Sequence, residues 1–115
     1  MAENKSPLAI EIGRRIASRR NQLGLTQEQA AEKAGLTQQF FASVETGRKN
    51  IRAESIVKVS KALCISTDFL LTGQVSDIDC LHISSLLKPL SDQQFIEIED
   101  LIRGILKFGG IEEDL

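Results

Sequence analysis

The amino-acid sequence predicts an all-α protein of seven helices with no β-strand. Two features favour this fold class. Apolar residues recur at spacings of three and four along most of the chain. Serine or threonine precedes most of these segments, and glycine often follows them, as at the two ends of a helix. A length of 115 residues suffices for one small domain with an appendage.

The first helix is predicted to begin at the Ser6-Pro7 pair and to end near Leu23. Serine is a favoured N-cap residue, and proline is well tolerated at the first helical position. Gly24 follows as the C-terminal stop. One face of this helix carries Leu8, Ile12 and Ile16.

The segment 26–52 predicts two short helices joined by a tight turn and followed by a loop. Thr26 caps the second helix, and Gln29 occupies the capping-box position. Thr37 caps the third helix, which runs to Thr46 and stops before a glycine. Two short helices at this spacing are typical of the helix-turn-helix of DNA-binding proteins.

The next two helices complete a predicted domain over residues 6–73. The fourth helix begins near residue 52 or 53 and ends near Leu63, with apolar residues at helical spacing. Ser66 caps a short fifth helix over residues 67–71, which ends at Gly73.

A linker is predicted over residues 74–77, followed by a helical segment over residues 78–115. A weaker sixth helix spans 78–87. Ser91 and Gln94 form the capping box of the last helix, which stops at two glycines. The last helix carries a wide apolar stripe formed by Phe95, Ile98, Leu101, Ile102, Ile105 and Leu106.

The third helix has the features of a helix that reads DNA bases. It begins with two glutamines, Gln38 and Gln39, and an amide can bond an adenine edge bidentately in the major groove. At about 100° per residue, Phe41 and Val44 point towards the core. The opposite side, with Gln38 at its edge, carries Gln39, Ala42, Ser43 and Thr46. The alternative is an amphipathic helix that is merely solvated.

The loop after this helix is basic and is expected to contact the DNA backbone. Its candidate residues are Thr46, Arg48, Lys49, Asn50 and Arg52. Phosphate contacts position a protein on DNA without specifying sequence. For each loop cation, a solvated charge remains an alternative. On the first helix, Arg14, Arg15 and Arg19 are expected to face solvent, with Arg19 as a further candidate for phosphate.

The run from Ile12 to Gly73 resembles the Cro/C1-type (XRE-like) helix-turn-helix family of phage repressors and bacterial regulators. The motifs RRNQLGLTQEQAAEKAG, LTQQFFASVETG and KALCISTDFLLTG carry the resemblance, in the expected order and spacing. The resemblance implies a compact five-helix, lambda-repressor-like DNA-binding domain, followed here by a short helical C-terminal tail. It also implies binding to operator DNA, usually as a dimer.

The same resemblance implies roles for individual residues. Gln27 would bond a phosphate and brace Gln38. Arg20 and Glu45 would form a salt bridge between the first and third helices. Phe40 stands where relatives place an aromatic near the phosphates or a thymine methyl, although a packing role is equally open. Cys64 stands where relatives often have glycine, so it is expected to adopt a positive φ.

The charge is divided unevenly along the chain, although the net charge is only −2. Residues 1–75 hold eleven Lys/Arg and seven Asp/Glu, and residues 76–115 hold three and nine. A basic half fits a surface that binds nucleic acid, and an acidic tail would point away from phosphate. Three interpretations of the apolar stripe remain open: a homodimer interface, packing onto the DNA-binding domain, or docking of another protein.

Other classes of function find little support in the sequence. The single histidine, His82, is expected to be a surface or edge residue rather than a catalyst. Cys64 and Cys80 lack metal-site spacing and are expected to be reduced. No phosphate-binding glycine loop is present. No apolar run approaches the length of a membrane span, and no signal-peptide core stands at the N-terminus, so we expect a cytoplasmic protein without cofactors.

The sequence therefore predicts a non-enzymatic, sequence-specific transcriptional regulator that binds double-stranded DNA in the major groove. A homodimeric repressor that occludes a promoter at a two-fold operator is the main hypothesis. Two alternatives remain. The protein is an antitoxin that neutralises a toxin and regulates its own operon, or it is a regulator whose tail docks an antagonist protein.

Overall fold

The computed structural model of the chain describes residues 6–111 and is all-helical over that range. Residues 112–115 of the predicted tail segment lie outside it. The helices are α1 (Pro7–Gln22), α2 (Gln27–Ala34), α3 (Gln38–Glu45), α4 (Ala53–Leu63), α5 (Thr67–Thr72), α6 (Asp77–Leu87) and α7 (Asp92–Phe108). The predicted fold class and the order of the helices are thus confirmed. The described part of the chain contains no strand.

Local capping fixes most helix ends close to the predicted positions. The hydroxyl groups of five N-cap residues each accept a backbone N–H of the first turn, and these residues are Ser6, Thr26, Thr37, Ser66 and Ser91. Cys64 ends α4 with φ 51° and ψ 52°, as the family resemblance implies. It is the one non-glycine residue with positive φ between residues 6 and 111.

The hydrophobic core is formed by the first five helices. Its most deeply buried large side chains are Phe41, Ile16, Leu63, Leu70 and Val59. Helix α2 packs against α3 and α4, while α1 packs against α3, α4 and α5. Helix α3 therefore packs directly against α1 and α2, and both of these helices also pack against α4.

The chain divides into two compact units, with the boundary between Cys80 and Leu81. The predicted division ends the first domain at residue 73 and begins the tail segment at residue 78. In the structure, the first turn of α6 belongs to the first unit because the carboxylate of Asp79 accepts hydrogen bonds from Ser66, at the start of α5.

The second unit contains the rest of α6 and the whole of α7. Neither helix has a buried residue. In the apolar stripe of α7, Ile98 and Leu106 are half-buried and the other four side chains are exposed. Within residues 6–111, no helix is long and apolar enough to cross a membrane.

Candidate nucleic-acid interface

Helix α3 exposes the face that the sequence assigns to base readout. Thr37 caps the helix by accepting the backbone N–H of Phe40 at 3.1 Å. Phe41 and Val44 are 1% and 3% exposed, so one side of α3 is anchored in the core. Gln38 and Gln39 are both exposed at the N-terminal end. The two amides are therefore free of the core and lie where an inserted helix first meets base edges.

A close backbone approach fixes the position of α3 against α1. A Cβ added at Gly13 would lie 2.3 Å from the carbonyl oxygen of Val44 and 2.5 Å from that of Glu45. Only glycine allows two helices to approach so closely at this point. Gly47, with φ 76°, likewise leaves no room for a Cβ beside Ile10. Neither glycine was assigned this role from the sequence, although a glycine inside a predicted helix is a signal of close approach.

The predicted ion pair between Arg20 and Glu45 is present and joins α1 to the end of α3. The Arg20 Nε atom donates to Glu45 Oε2 at 2.7 Å, and Nη2 donates to Oε1 at 3.1 Å. The side chains are 14% and 5% exposed, which makes this a bidentate pair largely removed from water. The hydrogen bond to Glu45 raises the pKa of Arg20, and this effect outweighs the burial that would lower it.

Gln27 braces α3 differently from the expectation. Its Nε2 donates to Glu45 Oε1 at 2.9 Å, so its hydrogen bond goes to the ion pair rather than to Gln38. The carboxylate of Glu45 is the stronger acceptor because it is charged. The second N–H of the Gln27 amide remains available at the start of α2, where a helix N-terminus favours a phosphate.

Four of the predicted DNA-contacting residues lie around one open groove of about 640 Å³. The groove is lined by the turn between α2 and α3, by the start of α3, by the loop after α3 and by the start of α4. The four residues are Phe40, Lys49, Asn50 and Arg52. The Lys49 ammonium lies 5.7 Å from the centroid of the half-buried Phe40 ring, within the range of a cation–π contact. This contact holds a cation over the face of an aromatic ring at the surface.

Two hydroxyls of the predicted DNA-binding face, one in α3 and one at its C-cap, are already used as donors to backbone carbonyls. Ser43 Oγ donates to the Gln39 carbonyl at 3.0 Å, and Thr46 Oγ1 donates to the Ser43 carbonyl at 3.1 Å. A hydroxyl has one hydrogen and two acceptor lone pairs. In this arrangement both groups offer acceptors to a ligand, which suits a base amino group better than a phosphate oxygen. Arg48 is exposed in the adjoining loop.

The expectation for Arg15 and Arg19 was wrong, because both are half-buried and bind helix C-termini. Arg19 donates to the carbonyls of Leu63 at 2.9 Å and Cys64 at 3.1 Å, where α4 ends. Arg15 donates to the carbonyl of Leu70 in α5 at 3.1 Å. A cation at the C-terminus of a helix satisfies its last carbonyls and complements its dipole. These two arginines therefore support the fold.

Comparisons with known proteins agree with this geometry. A sequence profile described as helix-turn-helix matches residues 16–70. An uncharacterized HTH-type transcriptional regulator of Sinorhizobium medicae is 32% identical over 80 residues, which cover 67% of this chain and 58% of that protein. The crystal structure of the P22 c2 repressor with a synthetic operator is similar at a TM-score of 0.53 and 30% identity, over 55% of this chain and 96% of the repressor chain.

One solved structure matches a longer part of the chain. A chain of the SinR protein/SinI protein complex is similar at a TM-score of 0.54 and 28% identity, covering 84% of this chain and 98% of that one. The chain thus belongs to the Cro/C1-type (XRE-like) helix-turn-helix family of transcriptional regulators, as the sequence motifs predict. It spans little more than half the length of the Sinorhizobium relative.

Proposed function

We propose that the chain is a transcriptional repressor that binds a two-fold operator as a homodimer. The observation that carries this proposal is the exposed start of α3, where Gln38 and Gln39 leave the core on a helix held by Gly13 and the ion pair of Glu45. A recognition helix is useful only if its angle is fixed, and these contacts hold α3 at its C-terminal end, away from the glutamines.

The division of labour at the interface follows from the chemistry of each group. Gln38 and Gln39 read base edges, because an amide offers a donor and an acceptor side by side. Lys49, Asn50 and Arg52 lie around the groove beside Phe40 and hold the sugar-phosphate backbone. The second N–H of the Gln27 amide supplies a further backbone contact.

The apolar stripe of α7 supports a dimer. Leu101 and Ile105 are 62% and 63% exposed, and Phe95 and Ile102 are each more than two-fifths exposed. At about 25 cal/mol per Å² of apolar surface, covering this face stabilises an assembly by several kcal/mol. A second copy offers the same face, so the contact is reciprocal and places two recognition helices under two-fold symmetry. Occupation of a palindromic site then excludes other proteins from the promoter.

A second function is favoured by the same exposed face and by the likeness to a chain of the SinR/SinI complex. In this alternative, α7 docks a different protein that antagonises DNA binding. Such a partner would compete with the second copy for one apolar surface. The two functions are therefore compatible if the partner disrupts the homodimer.

Selection of bound sites from a random pool of DNA tests the readout. The wild-type protein should enrich two inverted half-sites. Gln39→Ala should relax preference at one position per half-site and cost about 1–3 kcal/mol on the preferred site. Gln74→Ala makes the same chemical change at an exposed residue outside α3 and should leave the profile intact. An unchanged sequence preference for Gln39→Ala would refute the assignment of base contact.

Arg52→Ala separates backbone contact from base readout. We expect weaker binding to all sequences and a shallower dependence of affinity on salt, because one fewer counterion is released. The enriched sequence should stay the same. A changed sequence preference would mean that Arg52 reads a base.

Sedimentation analysis tests the interface on α7. Ile98→Asp and Ile102→Asp together should give a folded monomer with weak operator affinity. Ile96→Asp introduces one such carboxylate on the other side of the helix, at a residue that is 50% exposed, and should leave the dimer intact. A wild-type protein that is monomeric well above the concentrations needed for DNA binding would contradict the dimer.

A further inference from the structure

The carboxylate of Asp79 joins the starts of two helices. Its Oδ1 accepts the backbone N–H of Ser66 at 2.8 Å, and its Oδ2 accepts the Ser66 hydroxyl at 2.7 Å. Oδ2 also accepts the backbone N–H of Ser76 at 2.9 Å and the Ser76 hydroxyl at 3.1 Å. Ser66 caps α5, and Ser76 immediately precedes α6. One side chain thus ties the N-terminus of α6 to the N-terminus of α5.

These hydrogen bonds all favour the ionised form of Asp79. Burial alone would raise the pKa of this carboxyl group. The hydrogen bonds from the backbone and hydroxyl groups of Ser76 and Ser66 outweigh it and lower the pKa to about 2. Asp79 is therefore a carboxylate at neutral pH, and its four hydrogen bonds have the strength of charge-assisted bonds.

The start of α5, to which Asp79 is hydrogen-bonded, is itself held against the core. Ser60 Oγ donates to the carbonyl of Ile65, which fixes the backbone just before Ser66. In α5, Leu70 is fully buried and its carbonyl accepts a hydrogen bond from Arg15 in α1. The position at which Asp79 holds α6 is consequently rigid with respect to the helices that hold α3.

Apart from the hydrogen bonds of Asp79, α5 and α6 are joined only by a short non-helical segment. Residues 74–76 are non-helical, and Gln74 and Val75 are exposed. Such a connection alone would allow the start of α6 to move, whereas the hydrogen bonds of Asp79 hold its first turn against the start of α5. Helix α6 runs from Asp77 to Leu87, and its first turn belongs to the first unit.

We propose that Asp79 is a positioning residue that fixes the direction of α6 and thereby the spacing between the two operator half-sites that a dimer accepts. The inference rests on the proposed binding of a two-fold operator. One added base pair moves a half-site by about 3.4 Å and rotates it by about 34° around the DNA axis. A dimer with rigid connections tolerates neither change, and a dimer with hinged connections tolerates both.

The test uses the full chain and a DNA library with two fixed half-sites and a spacer of variable length. The half-sites are those enriched by the wild-type protein. The variants are Asp79→Ala, the milder Asp79→Asn, and the control Asp77→Ala. The control removes the same charge from the same helical turn, at an exposed residue. Circular dichroism and sedimentation establish that each variant is folded and dimeric.

We expect a single favoured spacing for the wild type and for Asp77→Ala. Asp79→Ala should bind an isolated half-site as the wild type does, but its preference for the favoured spacing over neighbouring spacings should fall by roughly tenfold or more. Asp79→Asn should show the same trend and decides the question if Asp79→Ala does not fold.

A folded Asp79 variant that keeps the sharp spacing preference overturns the inference and leaves the proposed function standing. A wild-type protein that selects single half-sites with no preferred spacing overturns both. Loss of half-site affinity together with an unchanged spacing profile also overturns the inference, because Asp79 would then act on α3 rather than on α6.

Discussion

Substitution of Gly13 by alanine tests whether the close approach of α1 to α3 determines the position of the recognition helix. The new Cβ would lie 2.3 Å from the Val44 carbonyl oxygen, about 1 Å inside ordinary contact distance. The three nearest atoms, the carbonyl oxygens of Val44 and Glu45 and the carbonyl carbon of Glu45, all belong to the backbone, so no side chain can rotate to make room. The helices must separate, or the backbone must distort.

The expected magnitude follows from two opposing terms. Alanine in place of glycine inside a helix is favourable by about 1 kcal/mol through propensity alone. Overpacking of a tight contact costs about 1–3 kcal/mol, and a backbone clash of this depth lies at or above the upper end. We therefore expect a net loss of about 2 kcal/mol in the free energy of unfolding. We also expect weaker operator binding, since α3 carries Gln38 and Gln39.

Gly104 provides a matched control within the same chain. It lies inside α7, and a Cβ added there meets nothing within 4 Å. Gly104→Ala should raise the free energy of unfolding by about 0.5–1 kcal/mol, without the opposing term. Urea denaturation followed by circular dichroism measures both variants. If Gly13→Ala is as stable as the wild type and binds the operator equally well, the close approach does not set the position of α3.

Three further predictions concern single contacts. Glu45→Ala should lower the free energy of unfolding by about 3 kcal/mol and weaken operator binding, because Arg20 is left largely buried without its partner; denaturation and DNA titration measure the two effects. Cys64→Gly should raise the free energy of unfolding by about 0.5–1 kcal/mol, because glycine adopts a φ of 51° without strain; a lower midpoint in urea would contradict this. The pKa of Asp79 is lowered from 3.8 to about 2 in the folded protein, so its contribution to stability is complete above pH 3.8 and is lost as the pH falls towards 2. The Asp79→Asn variant lacks this carboxylate, so its acid denaturation should not show this loss of stability.

The helix boundaries could be predicted because the signals that set them are local. Thr26 and Gln29 cap α2 with reciprocal hydrogen bonds three residues apart. Such pairs can be read from the sequence without any knowledge of the fold. The positive φ of Cys64 was predictable from the family resemblance, because relatives often have glycine at this position just past a helix end.

Contacts between residues distant in sequence were harder to predict. Arg15, Arg19 and Gln27 are all ordinary surface residue types on amphipathic helices, and nothing nearby in sequence reveals their partners. Arg19 binds carbonyl groups 44 and 45 residues away. The ion pair of Arg20 and Glu45 was the exception, because family resemblance supplied the pairing that composition and spacing do not contain.

The stability of α7 depends on whether its apolar stripe is covered in the assembled protein. Helix α7 has 17 residues, none of them buried, and most of the stability of a helix in a protein comes from packing of its amphipathic face. Its capping box and the ion pair between Glu99 and Arg103 add a few tenths of a kcal/mol to about 1 kcal/mol each. Covering the apolar stripe contributes more than these local terms together. In the proposed dimer, formation of α7, association of two copies and occupation of two half-sites are therefore linked by mass action. The helicity of α7 should rise with protein concentration over the same range in which operator binding becomes bivalent, whereas a tail stabilised within one chain would show no such dependence.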